Sequence, residues 1–133
     1  MVGAGKGAFL PWREPPSEAD VVEVAHDGED VPDLTTHLVA GKVTLVDFSA
    51  KWCDPCRDLD AHVLELMTKR DDIAYRKLDV GDWDTPLGKR YLAGVKELPY
   101  VVVYGPDKQR VEAITGFHPA RLDAAIDKAA AKR

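Results

Sequence analysis

The two cysteines of the chain stand three positions apart, in Phe48-Ser49-Ala50-Lys51-Trp52-Cys53-Asp54-Pro55-Cys56-Arg57. The apolar, β-branched run Val43-Thr44-Leu45-Val46-Asp47-Phe48 leads into them, and a segment of helical periodicity follows. A strand that ends in C-x-x-C and turns into a helix places both thiols at a helix N-terminus. Unsatisfied backbone N–H groups and the positive end of the helix dipole stabilise a thiolate there. An offset of three residues on one turn is compatible with the roughly 4.4–6.8 Å Cα separation that a disulfide requires. Closing so small a loop removes little entropy from the unfolded chain, so a disulfide here serves chemistry more than stapling.

Composition narrows the alternatives. A chain of 133 residues has the size of one domain. Its 18 Lys and Arg against 23 Asp and Glu give a net charge of −5, which argues against nucleic acid as the main partner. No run of about 18 or more apolar residues exists to span a membrane. Met1 is followed by Val2-Gly3-Ala4-Gly5-Lys6-Gly7 without the apolar core of a secretory signal. The compartment stays open between the cytoplasm and a bacterial periplasm, the latter for a chain freed of its signal or anchor. Two cysteines without a second Cys pair or an H-x-x-x-H-type partner leave a closed metal site two ligands short, so no metal is expected.

Hydrophobic periodicity orders the rest. Residues 1–19, rich in Gly and Pro, read as a flexible leader, with Phe9, Leu10 and Trp12 available to dock. The domain proper is expected over 20–133. Strands are expected at Val21–Ala25, Val43–Ser49, Ile73–Val80, Pro99–Tyr104 and Gln109–Thr115. Helices are expected at Pro32–Ala40, from Pro55 or Cys56 to about Arg70, from Pro86 to about Ala93 and from Pro119 to about Ala131. Thr85 suits the N-cap of the third. On the helix after the cysteines, Leu59, Val63, Leu66 and Met67 form one stripe, with Asp58, Asp60 and Glu65 largely elsewhere. The order predicts an α/β fold, a sheet with helices on both faces.

The segment Val46-Asp47-Phe48-Ser49-Ala50-Lys51-Trp52-Cys53-Asp54-Pro55-Cys56-Arg57 resembles the active site of the thioredoxin family. The likeness runs over roughly residues 20–131. It includes Lys77-Leu78-Asp79, the Leu98-Pro99 step before a Val-rich strand, and Gly116. The Asp82-Trp83-Asp84 loop is also similar to thioredoxin-like domains of bacterial thiol:disulfide interchange proteins. The resemblance implies a thioredoxin-like fold with a central mixed sheet of four to five strands. It implies a thiol–disulfide oxidoreductase without organic cofactor, a reductase of protein disulfides recharged by an upstream dithiol reductant, and a monomer. Cys53 is then the attacking thiol and Cys56 the resolving one. Asp47 matches the buried carboxylate below the pair, and Lys77 the lysine beside it. Pro99 matches a cis-proline that leaves the Leu98 backbone free for substrate. Trp52, Asp54 and Pro55 complete the contact rim.

The chain departs from the family pattern at four places. Asp54 replaces a glycine, Ser49 a tryptophan, Ala61 a helix-kinking proline, and Tyr100 a threonine. They point to a specialised relative. The competing readings are a non-catalytic binding module using the groove near Trp52 and Pro99, and a thiol oxidase or isomerase.

Overall fold

Strand β2 (Val43–Ser49) is buried at all seven positions, as its apolar composition dictates for a strand covered on both faces. The computed structural model of the chain describes residues 12, 14–16 and 18–132. Within them β2 lies at the centre of a five-stranded mixed sheet with β1 (Asp20–Ala25), β3 (Ile73–Asp79), β4 (Tyr100–Tyr104) and β5 (Arg110–Thr115). The order is β1-β3-β2-β4-β5. Strands β1, β3 and β2 run parallel, and β4 and β5 add an antiparallel half.

Alternation along the strands builds two apolar layers. Val43 and Leu45 stand beside Ile73 and Tyr75, and all four pack in one core with Leu59 and Val63 of α1 (Asp54–Met67) and Leu122 and Ile126 of α3 (Pro119–Ala130). The intervening residues Val46 and Phe48 join a second core with Leu78, Val102 and Leu87 of α2 (Pro86–Tyr91). Both cysteines belong to this second cluster. The sheet with helices on both faces is therefore the architecture read from the sequence. Thr85 caps α2 as expected, its Oγ1 accepting the Gly88 N–H at 3.1 Å.

Several boundaries differ. Where a helix is expected over 32–40, only a 3-10 turn forms, Leu34–His37. Its continuation is blocked because the Val39 N–H donates to Thr44 Oγ1 of β2 at 3.0 Å instead of to a helical carbonyl. Helix α1 stops at Met67, and the amides of Lys69 and Arg70 both turn back to the Leu66 carbonyl. Strand β4 begins at Tyr100, one residue after the proline. Of the leader, Trp12 packs against the second core; Phe9 and Leu10 lie outside the described residues.

Ile126 has no solvent exposure and ties α3 to the sheet. Ile126→Ala should lower the unfolding free energy by about 2–5 kcal/mol, the range for truncating a buried aliphatic side chain. Urea unfolding followed by circular dichroism measures it, and a loss under about 1 kcal/mol would show that α3 is not integral to this core.

Candidate active site

The turn from β2 into α1 carries the chemistry. Cys53 is the N-cap of α1, and its Sγ accepts the Cys56 N–H at 3.2 Å. Pro55 occupies the first helical turn, where a missing N–H leaves no bond unmade. Cys53 and Cys56 are joined in a disulfide with a Cα–Cα distance of 5.3 Å. Cys53 keeps 5% of its surface exposed and Cys56 none, so of the two residues only Cys53 borders solvent.

Trp52 stands beside it, 56% exposed. Its indole is nonetheless held, with Nε1–H donating to the Gly81 carbonyl at 2.8 Å and the ring centroid 6.5 Å from that of Trp83. Asp54 is exposed and pairs with Arg57, whose Nη1 also donates to the Lys51 carbonyl at 3.2 Å. Arg57 thus offsets the carboxylate placed next to Cys53, and is not a free solvated cation. Across the groove the Leu98–Pro99 peptide is cis. The Pro99 carbonyl accepts the Gly116 N–H at 2.7 Å, while the Leu98 backbone groups have no hydrogen bond among the described residues. Leu98 packs in the same cluster as both cysteines.

A buried polar group joins β2, β3 and α1, the helix that starts at the cysteines. Asp47 is fully buried, and its Oδ2 accepts the Tyr75 O–H at 2.7 Å. The same phenolic oxygen is 3.0 Å from Oδ1 of Asp60, also fully buried, on α1. Lys77 Nζ lies 2.7 Å from that Oδ1. Asp47 Oδ1 and Asp60 Oδ2 have no hydrogen-bond partner among the described residues. Burial pushes the Asp47 carboxyl up to about 7. Repulsion from Asp60 adds to this, against the lowering pull of the Tyr75 hydrogen bond and the Lys77 charge. The Tyr75 phenol is held well above its ordinary range, chiefly by burial.

Two sequence readings are corrected here. The family resemblance makes Lys77 the partner of Asp47, and the two are register neighbours across β2 and β3. Its ammonium pairs instead with Asp60, which descends from the helix above. Asp60, expected off the apolar stripe of α1, has no solvent exposure. Asp60 and Tyr75 are the members that sequence reasoning missed. Spacing carried the signal: Asp60 is four residues after Cys56 on one helix face, and Tyr75 is two before Lys77 on one strand face. His62 lies away from this group, with Nε2 2.7 Å from Asp123 Oδ1.

The Thioredoxin family model matches residues 32–128, the span that holds the disulfide at the helix start, the buried Asp47 and the cis Leu98–Pro99 step. The chain belongs to the thioredoxin family. It is 36% identical to a thioredoxin H-type of Fagopyrum esculentum over 68% of this chain and 72% of that one. It is 31% identical to thioredoxin-1 of Schizosaccharomyces pombe over 73% and 90% of the two chains. The structure of a Schistosoma mansoni thioredoxin superposes with a TM-score of 0.61 at 26% identity, covering 84% of this chain and 99% of that one. This thioredoxin is a thiol–disulfide oxidoreductase that works through the Cys53–Cys56 pair.

The Asp47 carboxyl gives a signed pH dependence. Its folded-state pKa of about 7 lies above the ordinary 3.8, so between these values the folded chain holds a proton that the unfolded chain lacks. Stability from this group therefore falls as pH rises through that window, and the penalty is complete above it. Asp47→Asn should stabilise the oxidised protein at pH 8 by on the order of a few kcal/mol and leave it little changed near pH 4. Urea midpoints across this range check it; a gain equal at both ends would contradict the assignment.

Proposed function

We propose that this thioredoxin reduces disulfides of other proteins, and that the two cysteines act in a fixed order. The thiolate of Cys53 attacks one sulfur of the substrate disulfide. A Cys53–substrate disulfide forms, and the other substrate sulfur leaves as a thiolate that takes a proton from water. Cys56 then gives its proton to the Asp47 carboxylate, and its thiolate attacks Cys53 Sγ. The Cys53–Cys56 disulfide closes and the second substrate thiolate is released. Two electrons pass to the substrate, and an upstream dithiol reductant restores the pair.

The observation that carries this reading is the asymmetry of the pair. Cys53 borders solvent at the helix start, and Cys56 lies buried one turn inside, above an acid poised near neutrality. A general base with a pKa near the working pH is the most effective for such a proton transfer. The exposed Trp52 supplies an apolar contact, and the Leu98 backbone offers hydrogen bonds to an extended substrate segment. Asp54, paired with Arg57, sits on the same rim.

Insulin reduction driven by dithiothreitol tests the assignment. Cys53→Ser should abolish the acceleration. Cys56→Ser should accumulate a covalent protein–insulin mixed disulfide, visible by mass spectrometry. Parent-like activity in Cys53→Ser would sink the catalytic reading. The direction is read separately from the reduction potential of the pair: a value near about −270 mV fits a reductant, and one near about −120 mV an oxidant.

A further inference from the structure

The hydrogen bonds that join Tyr75 to Asp47 and Asp60 cannot all be made by fully ionised acids. A tyrosine hydroxyl has one hydrogen to donate. Tyr75 has two carboxylate oxygens within reach, at 2.7 and 3.0 Å. One of them can accept that hydrogen. The other makes a hydrogen bond to the phenolic oxygen only if its carboxyl is protonated. Charge leads to the same count. Two buried carboxyls face one ammonium, that of Lys77, so the group is neutral when it holds one extra proton.

Geometry relates this group to the sulfurs. Asp60 follows Cys56 by one helical turn, and side chains four apart on a helix are neighbours, about 5–6 Å between Cβ atoms. Asp47 faces Tyr75 and Lys77 from β3 and Asp60 from α1; toward β4 its register neighbour is the apolar Val101. Lys77, at the outer end, has 16% of its side chain exposed and lines a cavity of about 240 Å³ shared with Trp12, Ser49 and Asp79.

We propose that Asp60 and Tyr75 are positioning residues of the redox reaction: the Tyr75 hydroxyl joins the Asp47 and Asp60 carboxyls into one unit that takes up and holds the proton Cys56 gives off. In the dithiol form Cys56 carries its proton and the unit is anionic. When Cys56 attacks Cys53, the proton passes to Asp47, and the unit becomes neutral beside Lys77. Tyr75 lets the proton move to Asp60 by accepting a hydrogen from Asp47 as it donates its own, and so remains a neutral phenol before and after. On reduction the proton returns to Cys56. The inference rests on Asp47 being the proton acceptor of Cys56.

The two positioning residues act on Asp47 with opposite sign, and this makes the proposal testable. Tyr75 stabilises the Asp47 carboxylate by donating to it, and Asp60 destabilises it by repulsion. Stopped-flow mixing of the reduced protein with excess small aromatic disulfide separates the second-order attack by Cys53 from the first-order closure by Cys56. The closure rate is recorded against pH. Tyr75→Phe, which keeps the ring and removes the hydroxyl, should move the midpoint of the closure profile up by about one pH unit. Asp60→Asn should move it down by a similar amount. Each variant should also slow closure at its own optimum by roughly tenfold.

Midpoints of both variants that coincide with the parent, while Asp47→Asn closes slowly, would overturn the shared unit and leave Asp47 as a lone base. Parent-like closure in Asp47→Asn would remove the underlying reading and the proposal with it. Should Asp60→Asn not fold, Tyr75→Phe decides alone: an upward shift supports the proposal, and an unmoved midpoint overturns it.

Discussion

Placing a carboxyl group on the innermost strand is the constraint to which the rest of this molecule conforms. Asp47 lies between two apolar layers with neighbours on both edges, where an ionised carboxylate is strongly disfavoured unless it is bonded and balanced by charge. The fold meets that demand from three directions. Tyr75 reaches across from β3, Asp60 comes down from α1, and Lys77 closes the set from the rim of the sheet. An apolar residue in place of Asp47 would make a simpler core. What the acid provides is a buried carboxyl whose pKa is raised to about 7, bonded to the helix that begins at the cysteines.

The surface above is assembled from different elements, each fixed by its own short-range bonds. The disulfide belongs to the β2–α1 turn, and Trp52 is anchored to the loop after β3 through the Gly81 carbonyl. The Leu98–Pro99 step is placed by the antiparallel pairing of β4 with β2, in which Phe48 stands opposite Tyr100. The segments around the disulfide are thus each tied to the sheet or to a neighbouring loop. A local bond also accommodates the Asp54 departure. Its charge is matched by Arg57 one turn on, so the carboxylate adds little field of its own at Cys53.

Most of the architecture was legible because its signals are local. Alternation and helical periodicity fix β2, β3 and α3, and Thr85 before Pro86 marks the start of α2. Reading failed where a tertiary bond outranked a local one. The helix expected over 32–40 was cut short by a side chain of β2, a residue whose pairing no local pattern reveals. At the site, the cysteines, Asp47 and the proline step stand in a recognisable run or position. Asp60 did not, because an acid among helix acids reads as solvated until the strand beneath it is known to carry a tyrosine and a lysine. The family resemblance makes Lys77 a neighbour of Asp47, as the strand register has it, but the choice between two buried carboxyls is made by side-chain reach, which a sequence match does not encode.

The family match begins at residue 32, yet two parts of the molecule that matter lie before it. Strand β1 is hydrogen-bonded along β3, and the ring of Trp12 sits 5.0 Å beneath the Lys77 ammonium. A chain trimmed to residues 32–128 would keep both cysteines and the whole of α1. It would also bare the edge of β3, an open row of donors and acceptors that invites pairing with another molecule. A cut at residue 32 would therefore remove a strand of the sheet together with the Trp12 contact, which a cut upstream of Trp12 retains.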